Sequence, residues 1–333
     1  MMRSITERDY SLDLLKFIAI ILVIMLHIST IQSNSDDLFV WNAVNFLESL
    51  TRTCVPLFLM VTGSLLCKSK CDFKTIFKRI NRVIIPLIFW SFFYVFLYNN
   101  LFDENASIFN ILERPTSSHL WYLYCLIGIY VTLPILCFIY KAASLTLKLY
   151  ICILWFISCT LIPSLKSYGY YVSVFFDIST FGLYQGYFLV GAIISDLNKS
   201  SRVRLLAFLF FILNTLAIWF LTKFTHDHEG VINLRNHINS SVFVCLASVS
   251  LFTAIQGINI KNNIALKFLS SQSNYIFGIY LTHMTFYYLM VKFNAPINHN
   301  IYYLIPLSSI AIYFSSLIIC LVLSKLKLNR IIM

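Results

Sequence analysis

The segment DLLKFIAIILVIMLHIST, Asp13–Thr30, decides the fold. Asp13 and Lys16 stand at its start, and from Phe17 to Leu26 no polar side chain interrupts it. His27 then follows inside the apolar stretch. A run of this length is a membrane-spanning helix rather than a soluble core helix. An ionisable side chain inside such a span is costly to bury and marks a functional site by default. His27 lies fourteen residues beyond Asp13, which at the helical rise is roughly 21 Å. The two cannot meet on one continuous helix, so any partner of His27 must come from another helix.

The same reading extends along the chain. Of 333 residues, 59% are hydrophobic and 12% charged, and the mean hydropathy is +0.78. A soluble domain carries about a quarter charged residues, so a soluble enzyme is excluded. Apolar stretches near 12–31, 43–66, 83–102, 119–140, 149–165, 180–195, 205–222, 239–256, 273–291 and 301–324 predict an all-α integral membrane protein of about ten transmembrane helices. The first stretch is too long for a cleaved leader and is expected to be retained. Of the 25 Lys and Arg, nineteen fall in one set of connections and five in the other, with Arg52 inside a span. The positive-inside rule then puts both termini in the cytoplasm. The net charge of +11 is accounted for by that topology and not by nucleic acid. No linker or repeat breaks the pattern, so residues 1–333 read as a single polytopic domain. The nine cysteines show no zinc spacing or disulfide framework, and Cys67 and Cys71 are expected to stay reduced. Residues 99–118 and 223–237 read as polar loops, either solvated connections or a recognition surface.

Several constellations carry chemistry. Glu48 and Arg52 are four apart, on one helical face, at about the depth of His27 if the first two spans pack together. Imidazole, carboxylate and guanidinium then share one buried polar site, although Glu48 equally reads as a plain partner of Arg52. His27 also has a bland alternative, a ring bonded to a neighbouring helix. Arg79 and Arg82 sit three apart before Pro86, where two planar forks suit phosphate, or else act only as topology anchors. In HLWYLY, the residues His119, Trp121, Tyr122 and Tyr124 read first as an interfacial aromatic belt. His283, in IFGIYLTH, is a second intramembrane imidazole. The HDHE run, His226–Glu229, lacks helical i, i+4 metal spacing, and no metal is expected.

Taken in order, these elements resemble the membrane-bound acyltransferase-3 family of bacteria. The elements are LDLLKFIAIILVIMLH (Leu12–His27), TRTCVPLFLMVTGSLL (Thr51–Leu66), the Arg79/Arg82 pair with Pro86, HLWYLYCLIGIY, YFLVGAII and IYLTH. Lys16 stands where the family usually has Arg, and Thr62 replaces the common Ser. The resemblance implies a short, stand-alone membrane acyltransferase without a separate periplasmic domain, in the bacterial inner membrane. It implies transfer of an acyl group, commonly acetyl, from cytoplasmic acetyl-CoA as co-substrate, without a metal. The acceptor it implies is a sugar hydroxyl of a cell-surface or lipid-linked polysaccharide: O-antigen, capsule, exopolysaccharide or enterobacterial common antigen. In that reading His27 is the general base, or is itself transiently acylated, with Glu48 and Arg52 beside it. Lys16, Lys78, Arg79 and Arg82 hold the CoA phosphates, and Asp13, Trp121, Tyr122 and His283 support the site or the acceptor. Buried His, Arg and Glu also suit a transporter or flippase for a lipid-linked glycan, the reading from another class.

Overall fold

Acidic and hydroxyl side chains set where the helices begin. In the computed structural model the Asp9 carboxylate accepts from the Ser11 amide (3.0 Å) and opens α1, Tyr10–Ser29. Asp37 accepts from Phe39 (2.8 Å) and opens α2, Leu38–Thr51. Asp72 accepts from Thr75 (2.8 Å) and opens α4, Phe73–Leu101. Ser144 and Ser200 do the same for α6, Leu145–Phe156, and α9, Ser201–Glu229. Each cap satisfies amides that have no partner within the helix. The other helices are α3, Cys54–Leu66; α5, Trp121–Ala142; α7, Ile162–Ser167; α8, Leu183–Ile194; α10, Val242–Ile255; α11, Ile276–Lys292; and α12, Ile301–Lys325. The structure describes residues 8–33, 35–102, 107–170, 182–230, 232–258, 268, 270–293 and 300–332, with no strand among them.

Seven helical stretches are long and apolar enough to cross a membrane, against the ten expected. The other three expected spans are α8, α10 and α11, of 12, 14 and 17 residues. At 1.5 Å per residue α8 and α10 extend about 18–21 Å, short of a hydrocarbon core of about 30 Å, whereas α11 is continued at its start by the 3-10 turn Gln272–Tyr275. Arg3, Lys261 and Lys267 of the charge count and residues 103–106 of one polar segment lie outside the described residues. The other polar segment is not a loop at its start. α9 continues through KFTHDHE, stabilised by a Lys223–Asp227 pair (2.5 Å) one turn apart, and stops at Gly230 in the left-handed conformation (φ 65°).

The second span is broken at Arg52–Thr53. Pro56 is the cause: it has no amide hydrogen for the Arg52 carbonyl, and its ring crowds that carbonyl. A π-turn at Ile157–Leu161 precedes Pro163 for the same reason. Central helix α1 packs against α2, α3, α11 and α12, burying Leu15, Ala19, Ile20 and Ile28 completely. By contrast, α9 turns Leu205, Leu206, Leu209, Leu213 and Phe220 outward, an apolar exterior suited to lipid. Cys71 is joined to Cys137 of α5 (S–S 2.25 Å), correcting the expectation that it stays reduced, because the α3–α4 turn folds onto α5.

Small residues let α3 and α8 approach backbone to backbone. A Cβ on Gly63 would fall 1.8 Å from the Phe188 carbonyl oxygen, and one on Gly191 2.2 Å from that of Met60. Ser64 Oγ adds a hydrogen bond to the Gly191 carbonyl (3.0 Å). Such close crossings hold membrane helices together where no hydrophobic effect acts between them. Gly63→Ala is expected to destabilise by about 1–3 kcal/mol, since backbone must move to admit the methyl group. Gly128→Ala, with nothing within 4 Å of its Cβ, is expected to leave stability unchanged. Thermal unfolding of the two detergent-solubilised variants checks this, and equal melting points would show the crossing to be loose.

Candidate functional site

The break in the second span places Arg52 at the end of α2, where its side chain turns back to Glu48 (Nη2 to Oε2, 2.5 Å). Glu48 is 3% exposed, and its second partner comes from the α9–α10 connection. His237 Nδ1 lies 3.4 Å from the same carboxylate oxygen without the alignment of a hydrogen bond. His237 Nε2 meets Ser49 Oγ at 3.3 Å. A buried carboxylate is tolerable when paired in this way. Glu48 is thus joined to Arg52 and His237, as the plain partner of Arg52 that its spacing allowed.

Arg52 and His237 share a cavity of about 580 Å³ with half-buried His27, Trp121, Tyr184 and the buried thiol of Cys54. The partner of His27 does come from another helix. Its ring lies 5.3 Å from that of His283 on α11, and His283 in turn lies 5.2 Å from His119, just before α5. His283 Nδ1 is 2.6 Å from the Tyr280 carbonyl, which can only accept, so the ring proton sits on Nδ1. His119 Nδ1 meets Ser117 Oγ (3.0 Å), which continues to the Tyr288 hydroxyl (2.9 Å) and Tyr98 (2.5 Å). The Nε2 atoms of His119 and His283 are both buried and have no hydrogen-bond partner among the described residues. Three imidazoles therefore stand in a row leading inward from the cavity.

A second cavity, about 480 Å³, opens toward the other end of α1. Lys16, Arg79 and Arg82 line it, with Phe58, Val61, Leu126 and Tyr122 as apolar wall. Lys16 Nζ is held by Ser273 Oγ (3.0 Å) and, at 3.4 Å, by Asp13. Asp13 is buried and also pairs with Arg8 (2.6 Å) and accepts from Ser273 (2.5 Å). Arg79 donates to Ser69 Oγ (2.7 Å), and its buried Nη1 has no partner among the described residues. Neither Arg79 nor Arg82 faces a carboxylate among the described residues. Positive forks without a counter-charge in a partly apolar cavity suit an anionic ligand with a long apolar arm. Tyr280 is the one residue lining both cavities among the described residues.

The structure redistributes the expected residues. Lys16, Arg79, Arg82 and Tyr122 come together at the basic cavity, and His27, Arg52 and Trp121 at the histidine cavity. Lys78 does not join them: it is exposed and outside the lining, one turn before Arg82 in the first part of α4, where Phe73, Lys74 and Phe77 are exposed as well. Asp13 acts on Lys16 rather than on the histidine cavity. Two residues gained importance. His119 reads in sequence as part of an interfacial belt but is 1% exposed, and His237 reads as a loop histidine but is 2% exposed. For His119 the available signal was an imidazole directly before the apolar run LWYLY, whereas His237, among the polar residues of LRNHINSS, carried none. Among the described residues no group of three or more His, Cys, Asp or Glu is arranged to hold a metal ion.

The fold and site define a multi-pass helical membrane protein with His27 and His237 facing one cavity and two guanidiniums not paired to a carboxylate facing another. The chain belongs to the acyltransferase-3 family, whose model, described as an acyltransferase domain, matches residues 9–325. It is therefore a membrane acyltransferase. No curated protein and no solved structure matches it.

Proposed function

We propose that this membrane acyltransferase moves an acetyl group from cytoplasmic acetyl-CoA to a sugar hydroxyl of a cell-surface or lipid-linked polysaccharide, in the bacterial inner membrane. The observation that carries the reading is the basic cavity with two carboxylate-free guanidiniums, meeting the histidine cavity at Tyr280. Arg79, Arg82 and Lys16 bind the CoA phosphates, and the pantetheine arm follows the apolar wall toward Tyr280. His27 accepts the proton of the sugar hydroxyl as its oxygen bonds to the thioester carbonyl carbon. Arg52 stabilises the resulting oxyanion. The carbon–sulfur bond then breaks, and the CoA thiolate recovers the proton from His27. His283 and His119 position the His27 ring from behind, and Trp121 and Tyr184 face the acceptor.

Arg79→Ala and Arg82→Ala are expected to raise the KM for acetyl-CoA by about 10–100-fold, the value of a lost charge-assisted hydrogen bond. Lys78→Ala, exposed and outside the cavity, is expected to leave KM unchanged. Acetyl transfer measured in proteoliposomes over a range of acetyl-CoA checks both. Unaltered donor dependence in all three variants would return the arginines to topology anchors. The acceptor is tested by mass spectrometry of surface polysaccharide from host cells with and without the gene, where one acetyl increment per repeat unit is expected.

A further inference from the structure

We infer that the Cys71–Cys137 disulfide is a redox clamp on the donor site, fixing Arg79 for the phosphates when oxidised and releasing it when reduced; this rests on the proposed acetyl-CoA reading. The bond joins the turn between α3 and α4 to α5, across 66 positions of chain. Both helices that it ties wall the basic cavity: α4 supplies Arg79, Arg82 and Val83, and α5 supplies Tyr122, Leu126 and Tyr130. Cys71 lies two residues before the start of α4, and Cys137 lies seven residues beyond Tyr130, about 10 Å along α5. Ser69, two residues before Cys71, connects the clamp to the ligand-binding group. Its Oγ accepts from Arg79 Nη2 (2.7 Å). Its carbonyl accepts from Lys141 Nζ (3.0 Å), and Lys141 stands one helical turn beyond Cys137 on α5. Covalent bond and hydrogen bond thus draw one short turn onto one part of α5, and Arg79 is braced on that turn. Neither cysteine takes part in the proposed transfer.

With the disulfide cut, the tie between this turn and α5 loses its covalent part, and the exposed Lys141 bond remains. Ser69 then no longer pre-organises the guanidinium, and a ligand has to order it on binding. The clamp stands where Lys68, Lys70, Lys74 and Lys78 gather, the cytoplasmic end by the positive-inside rule. A disulfide in that compartment is a transient, redox-sensing one. Cys71 is half-buried and open to attack, whereas Cys137 is 2% exposed. A thiolate of the glutathione class bonds to Cys71 Sγ, the sulfur–sulfur bond breaks, and Cys137 leaves as thiolate and takes up a proton. A second such thiolate attacks the mixed disulfide at the glutathione sulfur. Cys71 then leaves as thiolate and takes up the second proton, and the reductant departs as its own disulfide.

The test uses detergent-solubilised full-length protein, oxidised with diamide or reduced with a phosphine, and measures binding of radiolabelled acetyl-CoA. Reduction of wild type is expected to weaken binding about tenfold, the value of one hydrogen bond to a charged group. Cys71→Ser is expected to bind as weakly as reduced wild type after either treatment, and so is Ser69→Ala. Equal affinity of oxidised and reduced wild type, or tighter binding after reduction, would overturn the inference. So would a redox response that survives in Cys71→Ser or in Ser69→Ala. The second readout needs no acetyl-CoA and no variant: reaction of Arg79 with phenylglyoxal, followed by peptide mass spectrometry, is expected to rise on reduction of wild type. If acetyl-CoA binds in neither redox state, the proposed function fails. The arginine measurement then still decides whether the disulfide holds Arg79, and equal reactivity in the two states overturns the clamp.

Discussion

His27→Gln is expected to lower acetyl transfer by about 10²–10⁴-fold, the range for a lost general base. Glutamine keeps a polar side chain in the cavity but cannot take the hydroxyl proton. The remaining environment, including the rings of His283 and Tyr287 beside position 27, stays as it is. Donor binding through Lys16, Arg79 and Arg82 is therefore expected to persist, so the loss falls on kcat and not on the KM for acetyl-CoA. Single-turnover transfer with labelled acetyl-CoA checks this. Full activity would remove His27 from the chemistry. Labelled protein that accumulates in wild type and vanishes in His27→Gln would instead favour an acyl-His27 intermediate.

The second large effect is on stability. Glu48→Ala leaves the guanidinium of Arg52 without its carboxylate in a buried setting, and breaking a buried pair costs about 3–5 kcal/mol. The combined variant Glu48→Ala with Arg52→Met removes both charges and is expected to recover much of that loss. Thermal unfolding of the two detergent-solubilised proteins checks the order. A Glu48→Ala protein as stable as wild type would mean that water reaches Arg52 through the histidine cavity and solvates it. Activity supplies an independent signal: the combined variant is expected to stay slow even where it is stable, because Arg52 lines the cavity with His27.

What the sequence by itself determined follows from local rules. Hydropathy over a helical length marks a membrane helix wherever it occurs, so the all-helical class and the place of His27 inside a span were legible at residues 13–30. The i, i+3 and i, i+4 spacings put Arg79 with Arg82 and Glu48 with Arg52. Helix rise alone showed that the partner of His27 had to come from elsewhere. Pro56 also carried a local signal, since its missing amide breaks the helix at Arg52. The tertiary structure decided everything that needed two distant segments to meet. His283 reaches His27 across 256 positions of chain, and His237 reaches Glu48 across 189. Cys71 meets Cys137, Lys78 stays outside the basic cavity, and Tyr280 of α11 lines both cavities. Hydropathy cannot supply these contacts, because lipid and a neighbouring helix are equally apolar surroundings. Which helices face each other is set by close packing, as where Gly63 and Gly191 bring α3 against α8, and by the pairing of the few buried polar groups.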